Sequence, residues 1–259
     1  MMTHDFDGKK YEEASRHQRE WGTKLIRDLN LQGSEHLLDL GCGDGTLTRR
    51  IADLVLEGEV VGIDSSQSMF DAAMTKSRDN LQFLLLDIND LDFDERFDVV
   101  FSNASLHWIK DHKRMLENVQ RSLRKGGHLR FNFAGEGNCR NFFKVIGQAM
   151  ALKEFVTYFT TFEWPWHMPP VDDYRALVEC SELHDIRVWG EHEDRYFPDA
   201  ETMIRWVDQP NLMPFLGVIP THQTDTFRTF VVKRMIEETK QDDGTFFETF
   251  RRINVSAVK

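Results

Sequence analysis

The sequence predicts an α/β fold, a mostly parallel sheet with helices on both faces, and three observations carry that expectation. Strand-like and helix-like segments alternate through the first half, as a parallel sheet requires. The apolar run Leu37-Leu38-Asp39-Leu40 breaks into Gly41-Cys42-Gly43-Asp44-Gly45, whose three alternating glycines leave bare backbone for a ligand to approach. A second apolar run, Val60-Val61-Gly62-Ile63, ends in Asp64. A carboxylate at the tip of the next parallel strand can accept hydrogen bonds from both ribose hydroxyls of an adenosine-containing ligand.

The elements are read in order from hydrophobic pattern and punctuation. Leu37 to Leu40 is a first strand, and Thr46 to Leu54 the helix behind the glycines. Val60 to Ile63 is a second strand, followed by a helix over Ser68 to Arg78. Leu81 to Leu86 is a third strand ending at Asp87, and Phe97 to Ser102 a fourth ending at Asn103. A helix from His112 to Leu123 stops at Lys125-Gly126-Gly127 and leads into strand His128 to Phe133. Asn138 to Phe159 is helical in pattern, and the stretch from Phe162 to Pro170 is rich in aromatics and prolines. Ile186 to Val188 begins a strand running on towards Phe197. Ala200 to Val207 and Thr224 to Glu238 are helical, and Phe246 to Val258 closes the chain as strand. The chain is expected to form a single domain over 1–259, with helical lid insertions at about 138–183 and 199–240.

Composition narrows the function classes. The chain has 259 residues, 41% hydrophobic and 29% charged, in the range of a globular domain. No apolar stretch approaches the ~18 residues of a membrane span, and the N-terminus lacks the basic and apolar regions of a signal peptide. Three scattered cysteines (Cys42, Cys139, Cys180), with no CxxC, fit a reduced cytoplasmic setting and no structural metal. The net charge is −11, and basic pairs such as Arg49-Arg50 and Arg251-Arg252 are interleaved with acids, so neither nucleic acid nor membrane is an expected partner.

The loop departs from the dinucleotide fingerprint GxGxxG, because its third glycine comes one residue too early. Asp-x-Gly-x-Gly-x-Gly, with an acid closing the second strand, resembles the class I S-adenosylmethionine (SAM) methyltransferases. The resemblance implies a Rossmann-like sheet and SAM as cofactor. It implies that Asp39, Gly41, Cys42, Gly43 and Gly45 form the loop that meets the methionyl part, and that Asp64, with Ser65 beside it, holds the ribose. Met69, Asp87 and Ile88 fall where the family contacts adenine, and Asn103 ends the fourth strand at the same rim. For Asp87 the alternative is the start of a turn, and for Met69 a core position.

Asn103-Ala104-Ser105-Leu106-His107-Trp108 lacks the Asn-Pro-Pro-Tyr run of methyltransferases that act on planar amides and amines. Leu-His-Trp instead resembles small-molecule carboxyl methyltransferases of the juvenile hormone acid and salicylate type. There a Trp at this place and a Gln near the N-terminus donate to the substrate carboxylate, and Trp108 and Gln18 are the counterparts here. A wider resemblance, to the trans-aconitate methyltransferases, covers nearly the whole chain. It rests on Ile186 to Tyr196, Arg205-Trp206-Val207, Met213-Pro214-Phe215-Leu216 and Arg251-Arg252-Ile253-Asn254-Val255. The chain departs from that group at Leu106-His107. The expected partner is a small organic acid, methylated to an ester. Two alternatives stay open: an O- or N-methyltransferase with His107 as base, and a SAM-binding protein without catalysis.

Overall fold

The strands His36–Leu40, Glu59–Asp64 and Phe97–Asn103 are buried along nearly their whole length, as their continuous apolar runs require of central strands in a parallel sheet. The computed structural model describes residues 16–259, with side chains from Trp21 onward except at 209–210. In chain order the elements are α1 (Arg16–Asp28), β1 (His36–Leu40), α2 (Thr46–Leu54), β2 (Glu59–Asp64), α3 (Gln67–Met74), β3 (Leu81–Leu85), β4 (Phe97–Asn103), α4 (His112–Ser122) and β5 (Leu123–Ala134). There follow α5 (Arg140–Met150), α6 (Val171–Glu179), β6 (His184–His192), β7 (Arg195–Phe197), α7 (Ala200–Trp206), α8 (Met213–Leu216), α9 (Thr221–Thr239), β8 (Phe246–Glu248) and β9 (Arg251–Val258).

Seven strands form one sheet in the order β3-β2-β1-β4-β5-β9-β6. The pairs from β3 across to β5 are parallel, with Leu37 opposite both Val60 and Val99, and β9 runs antiparallel to β5. The strand order reverses between β1 and β4, so both the glycine loop and the end of β4 lie at the switch point where α/β sheets bind ligands. The chain divides into two compact units. One comprises the chain to Glu136, Trp166–Glu191 and Arg252–Lys259; the other comprises Gly137–Pro165 and His192–Arg251.

In the first unit one core cluster gathers Leu38, Leu40, Val100, Met115 and Phe131, and a second gathers Leu25, Ile51, Val60 and Phe101. Each such side chain contributes about 1.5–3 kcal/mol by leaving water. β5 alternates: Leu129, Phe131 and Phe133 enter the core, while Arg130 and Asn132 join a buried polar layer. There Arg130 donates to Asn254 Oδ1 (2.9 Å) and Asp28 (3.1 Å), and Arg252 Nε donates to Asn132 Oδ1 (2.9 Å). The second unit is built on aromatic rings, among them Phe155 against Phe227 at 5.1 Å and Trp206 against Phe250 at 5.6 Å. Its β7 and β8 form a separate antiparallel pair.

Several boundaries differ from the sequence reading, and the helix expected over Ser68 to Arg78 ends at Met74. α4 stops at Ser122, and Gly126, in the left-handed region at φ 77°, lies in an excursion of β5, whose pairing jumps from Leu123 to His128 while β4 advances only from Phe97 to Val99. The single strand expected over Phe246 to Val258 is two. Glu248 turns inward to accept the Asn141 and Phe142 N–H groups at the start of α5, and Thr249 Oγ1 accepts that of Arg140, so β8 and β9 enter different sheets. The strand expected to reach Phe197 ends at His192, because Asp194 accepts the Phe250 N–H and pairs with Arg251. The helix expected over Asn138 to Phe159 ends at Met150, with a short 3-10 turn at Val156–Phe159. Among the described residues no helix is long and apolar enough to cross a membrane.

Candidate active site

The glycine loop is fixed from below before any ligand is considered. The Leu40 carbonyl, last in β1, accepts from both Ser102 Oγ (2.9 Å) and Ser105 Oγ (2.8 Å), and the Cys42 N–H donates to the Ile63 carbonyl (2.9 Å). Gly41 has φ 68°, and a Cβ there would lie 2.4 Å from Ser105 Cβ, so the protein's own packing excludes a side chain. Gly43 has φ 56°, yet a Cβ there would meet nothing within 4 Å. This is the open side of the loop, the cradle a ligand would fill. Gly45 begins α2, and Asp44 holds the same turn through the Thr46 N–H (3.1 Å) and hydroxyl (2.6 Å).

Asp64 closes β2 against that loop. One carboxylate oxygen accepts the Gly43 N–H (2.9 Å) and the other the Ser66 N–H (2.9 Å). Burial pushes its pKa above the ordinary carboxyl range, and the amide donors, that of Ser65 included, offset part of the rise. Each oxygen keeps a further acceptor site, the capacity that two ribose hydroxyls require. Ser65 is exposed beside it, whereas Met69 is only 3% exposed. Asp39 lies inside β1, 3% exposed, and accepts from Thr48 Oγ1 (2.7 Å). Burial is the main cause that pushes its pKa up to about 7; the Thr48 hydroxyl lowers it and the Asp64 charge raises it further. Asp87 caps the short turn Ile88–Asp90 by accepting from Asn89 N–H (2.8 Å). Ile88 Cδ1 stands 3.9 Å from where a Gly41 Cβ would be, which brings this turn to the loop.

Beyond β4 the chain passes through Ala104, whose φ of 59° is unusual for a residue with a side chain, and its N–H donates to the Asn132 carbonyl (2.7 Å). A 3-10 turn then carries Leu106–Trp108. Its backbone is held on two carbonyls. His112 Nε2 lies 3.1 Å from the Leu106 carbonyl while its Nδ1 lies 2.9 Å from the Tyr174 hydroxyl, and the His167 N–H donates to the His107 carbonyl (2.7 Å). The proton therefore sits on His112 Nε2, and Tyr174 donates to Nδ1. Trp108 is half-buried, its ring 5.2 Å from that of Trp166. Among the described residues the buried His107 Nδ1 has no hydrogen-bond partner. Desolvation first, then the charge of Arg252 and the nearby His112, pushes the His107 pKa down to about 3. Asn103 faces α1: a Cβ on Gly22 would lie 3.1 Å from Asn103 Nδ2. Gln18 sits one helical turn before Gly22, and its side chain lies outside the described residues.

The structure thus brings Gly41, Cys42, Gly43, Asp64 and the Asp87-Ile88 turn to one rim, with Asn103, His107 and Trp108 at the end of the adjoining β4. Sequence reading missed the groups that hold these in place: Ser102, Ser105 and Thr48 under the loop, and His112, His167 and Tyr174 under the turn. Ser102, Ser105, Thr48 and His112 lie near their partners in sequence; His167 and Tyr174 are distant in sequence.

This chain is similar to known proteins. A methyltransferase-domain family model matches residues 38–131, the span from β1 into β5. A methyltransferase of uncharacterised role from Schizosaccharomyces pombe is 30% identical over 91% of this chain and 90% of its own. The trans-aconitate 2-methyltransferase of Acidovorax sp. strain JS42 is 22% identical over 98% of both chains. Among solved structures, Haemonchus contortus phosphoethanolamine N-methyltransferase 2, bound to phosphomonomethylethanolamine and S-adenosylhomocysteine, superposes with a TM-score of 0.61 at 16% identity, covering 97% of this chain and 56% of that one. The chain belongs to the class I methyltransferases that use SAM as methyl donor. Within that class its full-length relatives include the trans-aconitate 2-methyltransferases.

The described residues fit that donor: the open side at Gly43 leaves room for it, and Asp64 retains acceptor capacity towards a sugar.

Proposed function

We propose that this enzyme methylates a carboxylate of a small organic acid, giving a methyl ester. The observation that carries this reading is the pairing of Trp108 with a half-buried His107 whose Nδ1 is out of water and whose ring is neutral, just beyond the end of β4. A group whose pKa is about 3 is a poor general base near neutrality, because base catalysis is best with a pKa near the working pH. A carboxylic acid, with an ordinary pKa of about 4, is already ionised there and needs no base, whereas a phenol at about 10 does. The trans-aconitate relatives, named for an organic acid, support the same class.

The donor supplies an electrophilic methyl group on a sulfonium. The chain's own residues bind and align. The backbone of Gly41, Cys42, Gly43 and Gly45 receives the amino-acid end, with Asp39 supporting the loop. Asp64 and Ser65 take the ribose, Met69, Asp87 and Ile88 the adenine, and Asn103 the methionyl rim. Trp108 donates its indole N–H to one carboxylate oxygen and, with Gln18, turns the other towards the methyl group. Alignment of this kind supplies roughly 7–11 kcal/mol of a displacement barrier.

The test is donor turnover on a panel of small di- and tricarboxylic acids, phenols and amines. Turnover is expected on an acid. Trp108→Phe should lower it about a hundredfold, the scale for one donor aimed at a reacting oxygen, with SAM affinity retained. Turnover confined to phenols or amines would overturn the reading.

A further inference from the structure

The glycines that open the loop to a ligand also leave it with little local restraint. Glycine takes positive φ about as readily as negative, so a peptide between two glycines keeps its direction through contacts from outside. Asp44 lies between Gly43 (φ 56°) and Gly45 (φ 75°). Some of the contacts that hold the loop come from the loop itself and from the end of β2. The Cys42 N–H donates to the Ile63 carbonyl, the Gly43 N–H to Asp64, and the Gly45 N–H to the Cys42 carbonyl (3.1 Å). Another comes from further off. The Lys76 ammonium, just past the end of α3, donates to the Asp44 carbonyl (2.6 Å).

This contact is more than a passing surface pair. The Lys76 side chain is 30% exposed, and its Nζ also lies 3.4 Å from the Ala72 carbonyl and 3.8 Å from the Asp44 carboxylate. A hydrogen bond from a charged donor is roughly twice as strong as a neutral one. The helix that leads to Lys76 is tied to the donor end at both of its own ends. At its start, Ser66 caps α3 by accepting the Met69 N–H (3.4 Å), and the Ser66 N–H donates to Asp64 (2.9 Å). Near its finish Ala73 packs on the loop, where a Cβ on Gly45 would lie 3.1 Å from Ala73 Cβ and 2.6 Å from Phe83 Cζ. Lys76 then takes the peptide next to that contact. α3 is thus a brace between the acid that closes β2 and the Asp44 peptide of the loop.

We propose that Lys76 is a positioning residue for the methyl donor: by pinning the Asp44 peptide to α3 it keeps the open side at Gly43 in the shape that the ligand's amino-acid end requires. The inference rests on the reading that the glycine loop receives that end. The pin acts on the loop backbone and not on the transferred methyl group, so its loss weakens donor and product alike. S-adenosylhomocysteine, which has no sulfonium charge, reports the shape of the loop with the least interference from the lost ammonium charge. A ligand that lacks the amino-acid end does not use the loop and keeps its affinity. The acceptor end, held by other residues, is unchanged.

The experiment is calorimetric titration of the full chain, at one pH and about 0.15 M salt, with S-adenosylhomocysteine, SAM and methylthioadenosine, which carries the adenosine and the sulfur but no amino-acid end. In Lys76→Met, which keeps an apolar stem and removes the ammonium, affinity for S-adenosylhomocysteine and SAM should fall about tenfold, the scale of one hydrogen bond from a charged group. Affinity for methylthioadenosine should stay at the wild-type value, as should the acceptor KM at saturating SAM. Lys76→Arg, which restores a charged donor on a long side chain, should recover most of the loss. The unliganded Lys76→Met should unfold within a few degrees of wild type, since the ammonium is partly in water. Wild-type affinity of Lys76→Met for S-adenosylhomocysteine would overturn the inference. So would an equal loss for methylthioadenosine, which would mean that α3 as a whole had moved. Gly43→Ala, measured alongside, tests the premise separately: if it binds S-adenosylhomocysteine as the wild type does, the loop assignment falls and the inference with it.

Discussion

The two ends of the candidate site are built by different means. At the donor end, Asp39, Leu40, Gly41, Cys42, Gly43, Asp64 and Ser66 lie close together in sequence, and their contacts are mostly between backbone groups or from side chain to backbone. At the acceptor end, Trp108 and His107 rest on a turn secured by Asn132 from β5, His112 from α4 and His167 from the segment leading into α6, with Tyr174 of α6 holding His112. A site made of neighbouring backbone needs particular residues such as glycine at particular places. A site made of distant side chains needs only shape and a few donors, and many sequences supply those. Both ends lie within the span that the methyltransferase-domain model matches, or rest against it.

The largest expected effects come from the loop. Gly41→Ala combines a left-handed backbone with overlap on Ser105, and should cost about 2–4 kcal/mol of stability in chemical denaturation. Gly43→Ala has the same backbone penalty, about 1–2 kcal/mol, but meets no protein atom. It should stay folded and lose SAM affinity tenfold or more by calorimetry. Equal stability loss in the two variants would break the distinction between a glycine kept for the fold and one kept for the ligand.

Next in size is a stabilising change at the same end. A carboxyl whose folded pKa lies above its unfolded value contributes stability below about pH 4, and that contribution is lost as pH rises through the folded value, here about 7. At pH 8 the buried Asp39 therefore weighs against folding, and Asp39→Asn should raise stability there by roughly 2–4 kcal/mol. The gain should shrink as the pH is lowered towards 4. A variant equally stable to wild type at pH 8 would show that the ionised carboxylate is better solvated than its single donor implies.

The same contrast governs what could be read from the chain. β1, β2 and β4 were legible because strands buried on both faces must be runs of apolar residues, and Asp64 because it follows such a run directly. The start of β5 was missed because α4 gives way to strand at Leu123 with no breaker between them, and the glycines at 126 and 127 mark a bulge instead. Phe246 to Val258 looks like one strand, since nothing local shows Glu248 leaving to cap α5. α6 went unread behind Pro169-Pro170, and with it Tyr174. His112 looked like an ordinary first residue of a helix; its role depends on the Tyr174 hydroxyl, which no local pattern brings near.

At the acceptor end, Tyr174→Phe leaves His112 Nδ1 buried without its donor, which should cost about 1–3 kcal/mol of stability. If the pair serves to hold the Leu106–Trp108 turn, turnover should fall several-fold while SAM affinity stays at the wild-type value. A matching fall in SAM affinity would mean that the two ends are not independent.

The smallest effect is expected where sequence reading offered a catalytic base. His107→Ala removes a ring whose Nδ1 has no partner among the described residues and whose pKa of about 3 keeps it neutral across the working range. With an organic acid as acceptor, turnover should remain within a few-fold of wild type and show no ionisation near neutrality that the variant abolishes. A general base contributes about 10²–10⁴-fold, so a loss on that scale would reassign His107 to proton abstraction and move the acceptor from carboxylate to hydroxyl or amine. Comparing kcat with KM separates the outcomes further: a rise in KM alone reports lost packing beside Trp108, whereas a fall in kcat alone reports lost chemistry.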